Sequence, residues 1–84
     1  MYFVDKIQAQ GDKQRKIPVP KKFWIEFPLD SMVKIELLDD PTLFFVDRIQ
    51  AQGKVQRKIP VPMKFWKEFP AGAIIKVESM KRSA

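Results

Sequence analysis

Two clusters of basic side chains are the residues of this sequence whose types and spacing could do chemistry. The first cluster holds five cations within ten residues, and the second repeats most of it further along the chain. The members are Lys13, Arg15, Lys16, Lys21 and Lys22 in the first cluster and Lys54, Arg57, Lys58 and Lys64 in the second. Lysine and arginine bind phosphate oxygens, and arginine and glutamine also suit bidentate contacts with base edges. The clusters therefore predict a polyanionic partner.

The composition of the 84 residues argues against most other kinds of site. The sequence has no cysteine and no histidine, so it lacks disulfides, thiolate metal ligands and the commonest general base. Asp5 with Asp47, or Asp39 with Asp40, are the carboxylate pairs that an enzyme would have to use, and no glycine-rich phosphate loop accompanies them. We therefore expect no enzyme, no metal site, no cofactor and no small-molecule substrate.

The net charge of +6 and the pI near 9.8 point to the same class of partner. Residues 1–42 carry no net charge, and residues 43–84 carry all of the +6. The alternative interpretation is that the excess lysine keeps a small protein soluble. No apolar run approaches the roughly 20 residues that span a bilayer, and the N-terminus lacks a signal-peptide pattern. We therefore predict a cytoplasmic location and no membrane partner.

The basic clusters recur because the chain is a tandem repeat with an offset of 42 residues. Between Phe3–Glu36 and Phe45–Glu78, 23 of 34 aligned positions are identical. Repeat one covers residues 1–42 and repeat two covers residues 43–84, with the polar connection 39–42 between them. Half of such a chain cannot bury its own apolar face. We therefore predict a single domain over 1–84, mainly β, in which a pseudo-twofold axis relates the repeats.

Glycine and proline residues mark the ends of the predicted elements in each repeat. An extended segment, 2–10 or 43–52, ends at Gly11 or Gly53, where a turn is easy to form. A second strand follows, then a helix of about two turns from Pro20 to Pro28 and its equivalent in repeat two. Alternating strands at 32–37 and 74–78 complete the β-β-α-β units. The two repeats together predict six strands and two short helices in a closed barrel. The tail 81–84 is expected to fray.

Aromatic residues on the predicted helices have two interpretations. Phe23, Trp24 and Phe27 share one broad helical face, and residues 65, 66 and 69 repeat it. Spacing of this kind is typical of core packing, which is the favoured interpretation. A platform on which nucleic-acid bases stack is the alternative.

The segment from Gly11 to Lys22 resembles the start of the AbrB/SpoVT family of swapped-hairpin DNA-binding domains. The positions that match the family's motif are Gln14, Ile17, Pro18, Leu29-Asp30 and Val33-Lys34-Ile35, with Gln56, Ile59, Pro60, Ala71-Gly72 and Ile75-Lys76-Val77 in repeat two. Lys13 and Val55 stand where the family has a turn glycine. The three-strand repeat is also similar to the halves of the double-psi barrel, so both topologies remain open.

The resemblance implies a function as well as a fold. Family members bind DNA with basic residues of the first hairpin and the helix start, and here two repeats would supply what two subunits usually supply. We therefore expect a transcription regulator or chromatin-associated protein that binds duplex DNA, as a pseudo-dimeric monomer or a homodimer. Phosphate contacts would supply affinity, and Arg15, Arg57 and the glutamines at 8, 10, 50 and 52 could reach base edges. RNA binding and a non-catalytic protein-interaction barrel are the alternatives.

Overall fold

The computed structural model describes residues 1–80, and the tail for which fraying is predicted lies outside this part. Within it, the strands are β1 Tyr2–Lys6, β2 Gln8–Gln10, β3 Gln14–Pro18, β4 Met32–Leu37, β5 Phe44–Arg48, β6 Gln50–Gln52, β7 Gln56–Pro60 and β8 Ile74–Ser79. Single 3₁₀ turns occupy Lys21–Phe23 and Met63–Phe65.

The strands form two antiparallel sheets of four. The first sheet has the order β1-β8-β4-β5, and the second sheet has the order β2-β3-β7-β6. The prediction of a mainly β fold is therefore confirmed. The prediction of a closed six-stranded barrel is wrong, because the sheets are separate and each has two edge strands.

The difference arises where the first extended segment of each repeat leaves one sheet and enters the other. Ile7 separates β1 from β2, and Ile49 separates β5 from β6. Both side chains are buried, and their backbones bond to the other repeat rather than to a neighbouring strand. The Ile7 N–H donates to the Ala73 carbonyl at 3.0 Å, and the Ile49 N–H donates to the Ser31 carbonyl at 3.1 Å. Each predicted long strand is thus two strands that meet at a buried corner, which gives eight strands instead of six.

Strand pairing in both sheets has the symmetry that the repeat predicts. In the second sheet the register is symmetric about the pair Ile17 and Ile59, and in the first sheet about Ile35 and Val77. Each of these pairs joins residues 42 apart, which are equivalent positions of the two repeats. A pseudo-twofold axis therefore runs through the centres of both sheets, and the outer faces of the sheets lie at opposite ends of it.

A single core lies between the sheets and draws on both repeats. It contains Ile17, Ile59 and the residues that follow β3 and β7, Val19 and Val61, all at most 4% exposed. Phe27 and Phe69 are also buried in it, at 0% and 2% exposure, and each meets the buried phenylalanine of an edge strand edge-on. Core packing, the favoured interpretation of these two aromatics, is confirmed.

The prediction of two short helices of about two turns each is wrong. After Pro20 the chain makes one 3₁₀ turn, in which the Phe23 and Trp24 N–H groups donate to carbonyls three residues back. A single α-type bond then joins the Phe27 N–H to the Phe23 carbonyl before Pro28 ends the segment. Seven residues between two prolines cannot repay the cost of nucleating a helix. The aromatic contacts with the core decide the backbone shape instead.

Candidate nucleic-acid interface

The hairpins of the second sheet, residues 8–18 and 50–60, carry most of the protein's net charge. They hold six Lys/Arg and one Asp, which is a net +5 of the chain's +6. The strands of the first sheet hold four Lys/Arg and four Asp/Glu, which is no net charge. Charge is therefore separated by sheet, along the pseudo-twofold axis. The sequence had shown only an imbalance between its two halves.

Each hairpin turns at a glycine that the backbone requires. Gly11 and Gly53 have φ values of 69° and 71°, in the left-handed region that residues with a Cβ rarely adopt. The space around both is open, so the requirement is conformational and not steric. The turns project Lys13 and Lys54 into solvent at the two ends of the second sheet.

The outer face of the second sheet is polar and contains no large exposed apolar side chain. Its side chains are Gln8, Gln10, Gln14, Lys16, Pro18, Gln50, Gln52, Gln56, Lys58 and Pro60. Lys16 Nζ donates to Gln52 Oε1 of the other repeat at 3.1 Å. Lys58 makes no such bond to the equivalent Gln10, whose Oε1 is buried and has no partner within the described part of the chain. This face therefore offers amide groups and two half-buried ammonium groups to a ligand.

Arg15 and Arg57 lie beside this face, and each is held by the tryptophan of the other repeat. The Arg57 guanidinium lies 4.2 Å from the ring centroid of Trp24, and the Arg15 guanidinium lies 4.4 Å from that of Trp66. Each arginine also donates an Nη1–H to the tryptophan's carbonyl, at 3.4 and 3.3 Å. The rings are fixed in turn by Nε1–H bonds of 2.9 and 2.8 Å to the carbonyls of Val19 and Val61. Both guanidinium planes are thus oriented before any ligand arrives.

Two equivalent clefts open on either side of these contacts, and each is built from both repeats. Cleft A, of about 290 Å³, contains Lys16, Lys21 and Trp24 of repeat one together with Arg57 of repeat two. Cleft B, of about 280 Å³, contains Lys58 and Trp66 of repeat two together with Lys13 and Arg15 of repeat one. Among residues 1–80, three cations and no carboxylate line each cleft. This combination of charges suits an anion.

The two clefts reach the same charge by different residues. Lys21 of cleft A corresponds to Met63 of cleft B, and Lys13 of cleft B corresponds to Val55 of cleft A. Each repeat therefore departs from its copy at one cleft position, and the second departure restores the number of cations to three. Neither repeat alone shows this balance, because each cleft takes residues from both.

Of the nine basic residues predicted from the sequence, six line the clefts. Cleft A receives Lys16, Lys21 and Arg57, and cleft B receives Lys13, Arg15 and Lys58.

The other three predicted residues are exposed and line neither cleft. Lys22 and Lys64 extend over the rings of Phe23 and Phe65, with Nζ 5.2 and 5.3 Å from the ring centroids. Lys54 lies at a hairpin turn.

Sequence reasoning missed the part that the tryptophans play in the site. Trp24 and Trp66 pack against the core on one side and carry an arginine of the other repeat, so they join core to interface. The signal that could have found them is the recurrence of a tryptophan nine residues after an arginine in both repeats. It could not have shown that each arginine meets the distant tryptophan.

Two further searches of residues 1–80 bear on the kind of site. No group of three or more acidic, histidine or cysteine side chains is arranged to hold a metal ion in this part of the chain. No helix among these residues has the length and apolar character to cross a membrane.

Comparison with known proteins adds no identification: no protein-family model, no curated protein and no solved structure matches the chain significantly.

Proposed function

We propose that the protein binds duplex DNA through the outer face of the second sheet and the two clefts beside it. The observation that carries the proposal is the concentration of a net +5 on two hairpins related by a pseudo-twofold axis. A duplex has a twofold-related pair of phosphate backbones, so two equivalent cationic clefts are suited to one contact with each strand. This agrees with what the resemblance to swapped-hairpin DNA-binding domains implies.

The clefts are suited to phosphates, and the face between them is suited to bases. Lys16 and Lys58 lie on the two central strands of the second sheet, next to the symmetry axis. Arg15 and Arg57 are already immobilised on tryptophan rings, so binding costs less side-chain entropy than it would for free arginines. The surrounding glutamines have the donor and acceptor pair that suits adenine in the major groove. A transcription regulator or chromatin-associated protein would use such a surface.

A salt titration of duplex DNA binding tests the proposal. If the six cleft cations each engage a phosphate, log K should fall with log salt with a slope of about −5. Lys16→Gln/Lys58→Gln should make this slope shallower by about 1.8, because it removes two phosphate contacts. Val55→Lys should make it steeper by about 0.9, since it supplies cleft A with the equivalent of Lys13.

The matched control is Lys6→Gln/Arg48→Gln, which removes two equivalent cations from the first sheet. Its slope should stay at the wild-type value. Equal losses from the two double variants would show that binding depends on net charge and not on the second sheet. Stronger binding to RNA or single-stranded DNA at the same salt would reassign the site to that ligand. Absence of binding to every nucleic acid would leave the protein-interaction alternative.

A further inference from the structure

The outer face of the first sheet carries exposed apolar side chains at six of its twelve outward positions. Six outward side chains of the four strands, Tyr2, Val4, Met32, Phe44, Val46 and Ile74, are each 40–56% exposed. They form equivalent pairs about the pseudo-twofold axis, so the face is symmetric. The outer face of the second sheet has no counterpart to this surface.

The exposed apolar area is large enough for a specific interface. Leu38 and Met80, which follow β4 and β8, extend the face and are 48% and 47% exposed. If whole side chains have about 150–250 Å², the range for aromatic residues, these eight leave at most roughly 700 Å² of mainly apolar area in water. Charged side chains of the same face divide this area, and the largest contiguous patch on a typical monomer is about 300–600 Å². It approaches the roughly 800 Å² that each partner contributes to a stable interface.

Three charged groups at the centre of this face are already paired within it. Glu36 is only 8% exposed, and its carboxylate lies 3.6 Å from Lys34 Nζ and 3.5 Å from Lys76 Nζ. The two ammonium groups also lie over aromatic rings of the edge strands, 4.6 Å from the centroid of Phe44 and 4.7 Å from that of Tyr2. A partner that covered the face would therefore leave neither Glu36 nor these lysines without a counter-charge or ring.

We propose that a second copy of this chain docks on the outer face of the first sheet. Charge favours pairing through this face over pairing through the second sheets. Two copies that met through their second sheets would bring two net charges of +5 together. The outer face of the first sheet carries a net charge of only +2, from four cations and two carboxylates: Lys6, Lys34, Arg48, Lys76, Glu36 and Glu78. A twofold dimer uses the same surface of both copies, so one exposed face per chain is sufficient. A cleft of about 250 Å³ continues the face at Met32 and Met80 and can receive a side chain from the partner; it is also lined by Ile25, Glu26, Pro28, Ser31 and Ser79.

Such a dimer has a consequence that rests on the proposed DNA-binding function. Because the two outer faces lie at opposite ends of the pseudo-twofold axis, pairing through the first sheets leaves the two second sheets facing away from each other. The dimer would then hold two duplex segments at once. A labelled duplex should be retained on an immobilised duplex by the wild-type protein.

Sedimentation equilibrium without DNA tests the dimer independently of that consequence. Wild type should sediment at twice its chain mass of 9.9 kDa. Val4→Lys/Val46→Lys places two ammonium groups per chain on the face, and a twofold interface counts each of them twice, so dimerisation should weaken more than about a hundredfold. Val55→Lys is the control: it makes one such exchange at an exposed valine in the turn between β6 and β7, away from the first sheet, and should leave the dimer intact.

Three results would overturn the proposal: a monomeric wild type at every concentration, a Val4→Lys/Val46→Lys variant that still dimerises, or dissociation by Val55→Lys as well. Far-UV circular dichroism checks that the variants fold. If the lysine variant is unfolded, Val4→Thr/Val46→Thr decides, because it keeps β-branched residues and should still weaken the dimer about tenfold. A dimer that fails to bridge two duplexes would leave the interface standing and contradict DNA binding through both second sheets.

Discussion

Removal of the guanidinium groups of Arg15 and Arg57 should destabilise the fold, because these groups join the two repeats. From the sequence, both arginines are expected to be free to reach base edges. In the structure each is half-buried and lies over the tryptophan ring of the other repeat. The predicted effect of Arg15→Ala/Arg57→Ala is therefore on stability as well as on binding.

The magnitude follows from the two contacts that each arginine makes. A half-buried guanidinium over a tryptophan ring contributes about 1 kcal/mol. The bonds to the tryptophan carbonyls are long, at 3.3 and 3.4 Å, so each adds about 0.5 kcal/mol. The double variant should lose about 3 kcal/mol from a total of about 5–10 kcal/mol. In a domain of this size, that lowers the melting temperature by roughly 12–24 °C.

A double-mutant cycle measured by urea denaturation separates the contact from the general cost of each substitution. The coupling between Arg57→Ala and Trp24→Leu should be about 1 kcal/mol, because the ring of Trp24 carries the Arg57 guanidinium. Arg15→Ala with Trp24→Leu is the matched control, since these residues are nearer in sequence but Arg15 lies over the ring of Trp66. Its coupling should be near zero.

Two results would refute this reasoning. Equal coupling energies for the two pairs would mean that the contact does not cross between repeats. A wild-type melting temperature for Arg15→Ala/Arg57→Ala would mean that the ring contacts contribute nothing, which leaves binding as the only role of the arginines.

Two further predictions concern stability. Phe27→Ala or Phe69→Ala should lower the free energy of unfolding by about 3–5 kcal/mol, the range for removal of a buried aromatic side chain. Ile25→Ala is the control, because this side chain is 89% exposed, and it should change the free energy by less than about 0.5 kcal/mol. An equal loss in the two kinds of variant would contradict the burial of the phenylalanines. Asp30 and Gly72 occupy equivalent positions with left-handed φ values of 67° and 91°. Asp30→Gly should therefore raise the free energy of unfolding by about 0.5 kcal/mol, and Gly72→Asp should lower it by about 1 kcal/mol. Melting temperatures that shift in the same direction for both variants would contradict this prediction.

Several features of the fold follow from the sequence because they depend on local pattern. Alternation of apolar residues placed β4 at 32–37, where the structure has it, and placed β8 at 74–78, one residue short of its end. The glycines at 11 and 53 marked both hairpin turns, since no other residue adopts a positive φ so readily. The offset of 42 predicted twofold pairing, and the strand registers have that symmetry. The prolines that bound the aromatic segments were the misleading signal, because the segments between them make single 3₁₀ turns and not helices.

Only the tertiary structure decided which strands share a sheet and which residues share a cleft. The local sequence shows which residues of a strand share a face, but it does not show which other strand will pair with it. Nothing in the extended segments 2–10 and 43–52 shows that Ile7 and Ile49 bond to the other repeat and divide each segment between two sheets.

The same holds for the site. The arginine–tryptophan contacts join residues 51 and 33 positions apart, so the sequence could supply their identities and not their pairing. The clefts have equal charge because of this pairing between repeats. Lys13 lies with Arg15 in cleft B, whereas Lys21 lies with Trp24 in cleft A, so each cleft receives one of the two lysines that repeat two lacks. The sequence by itself determined that this chain is a basic, twofold β protein. Long-range pairing decided that its charge lies on one sheet and its exposed apolar surface on the other.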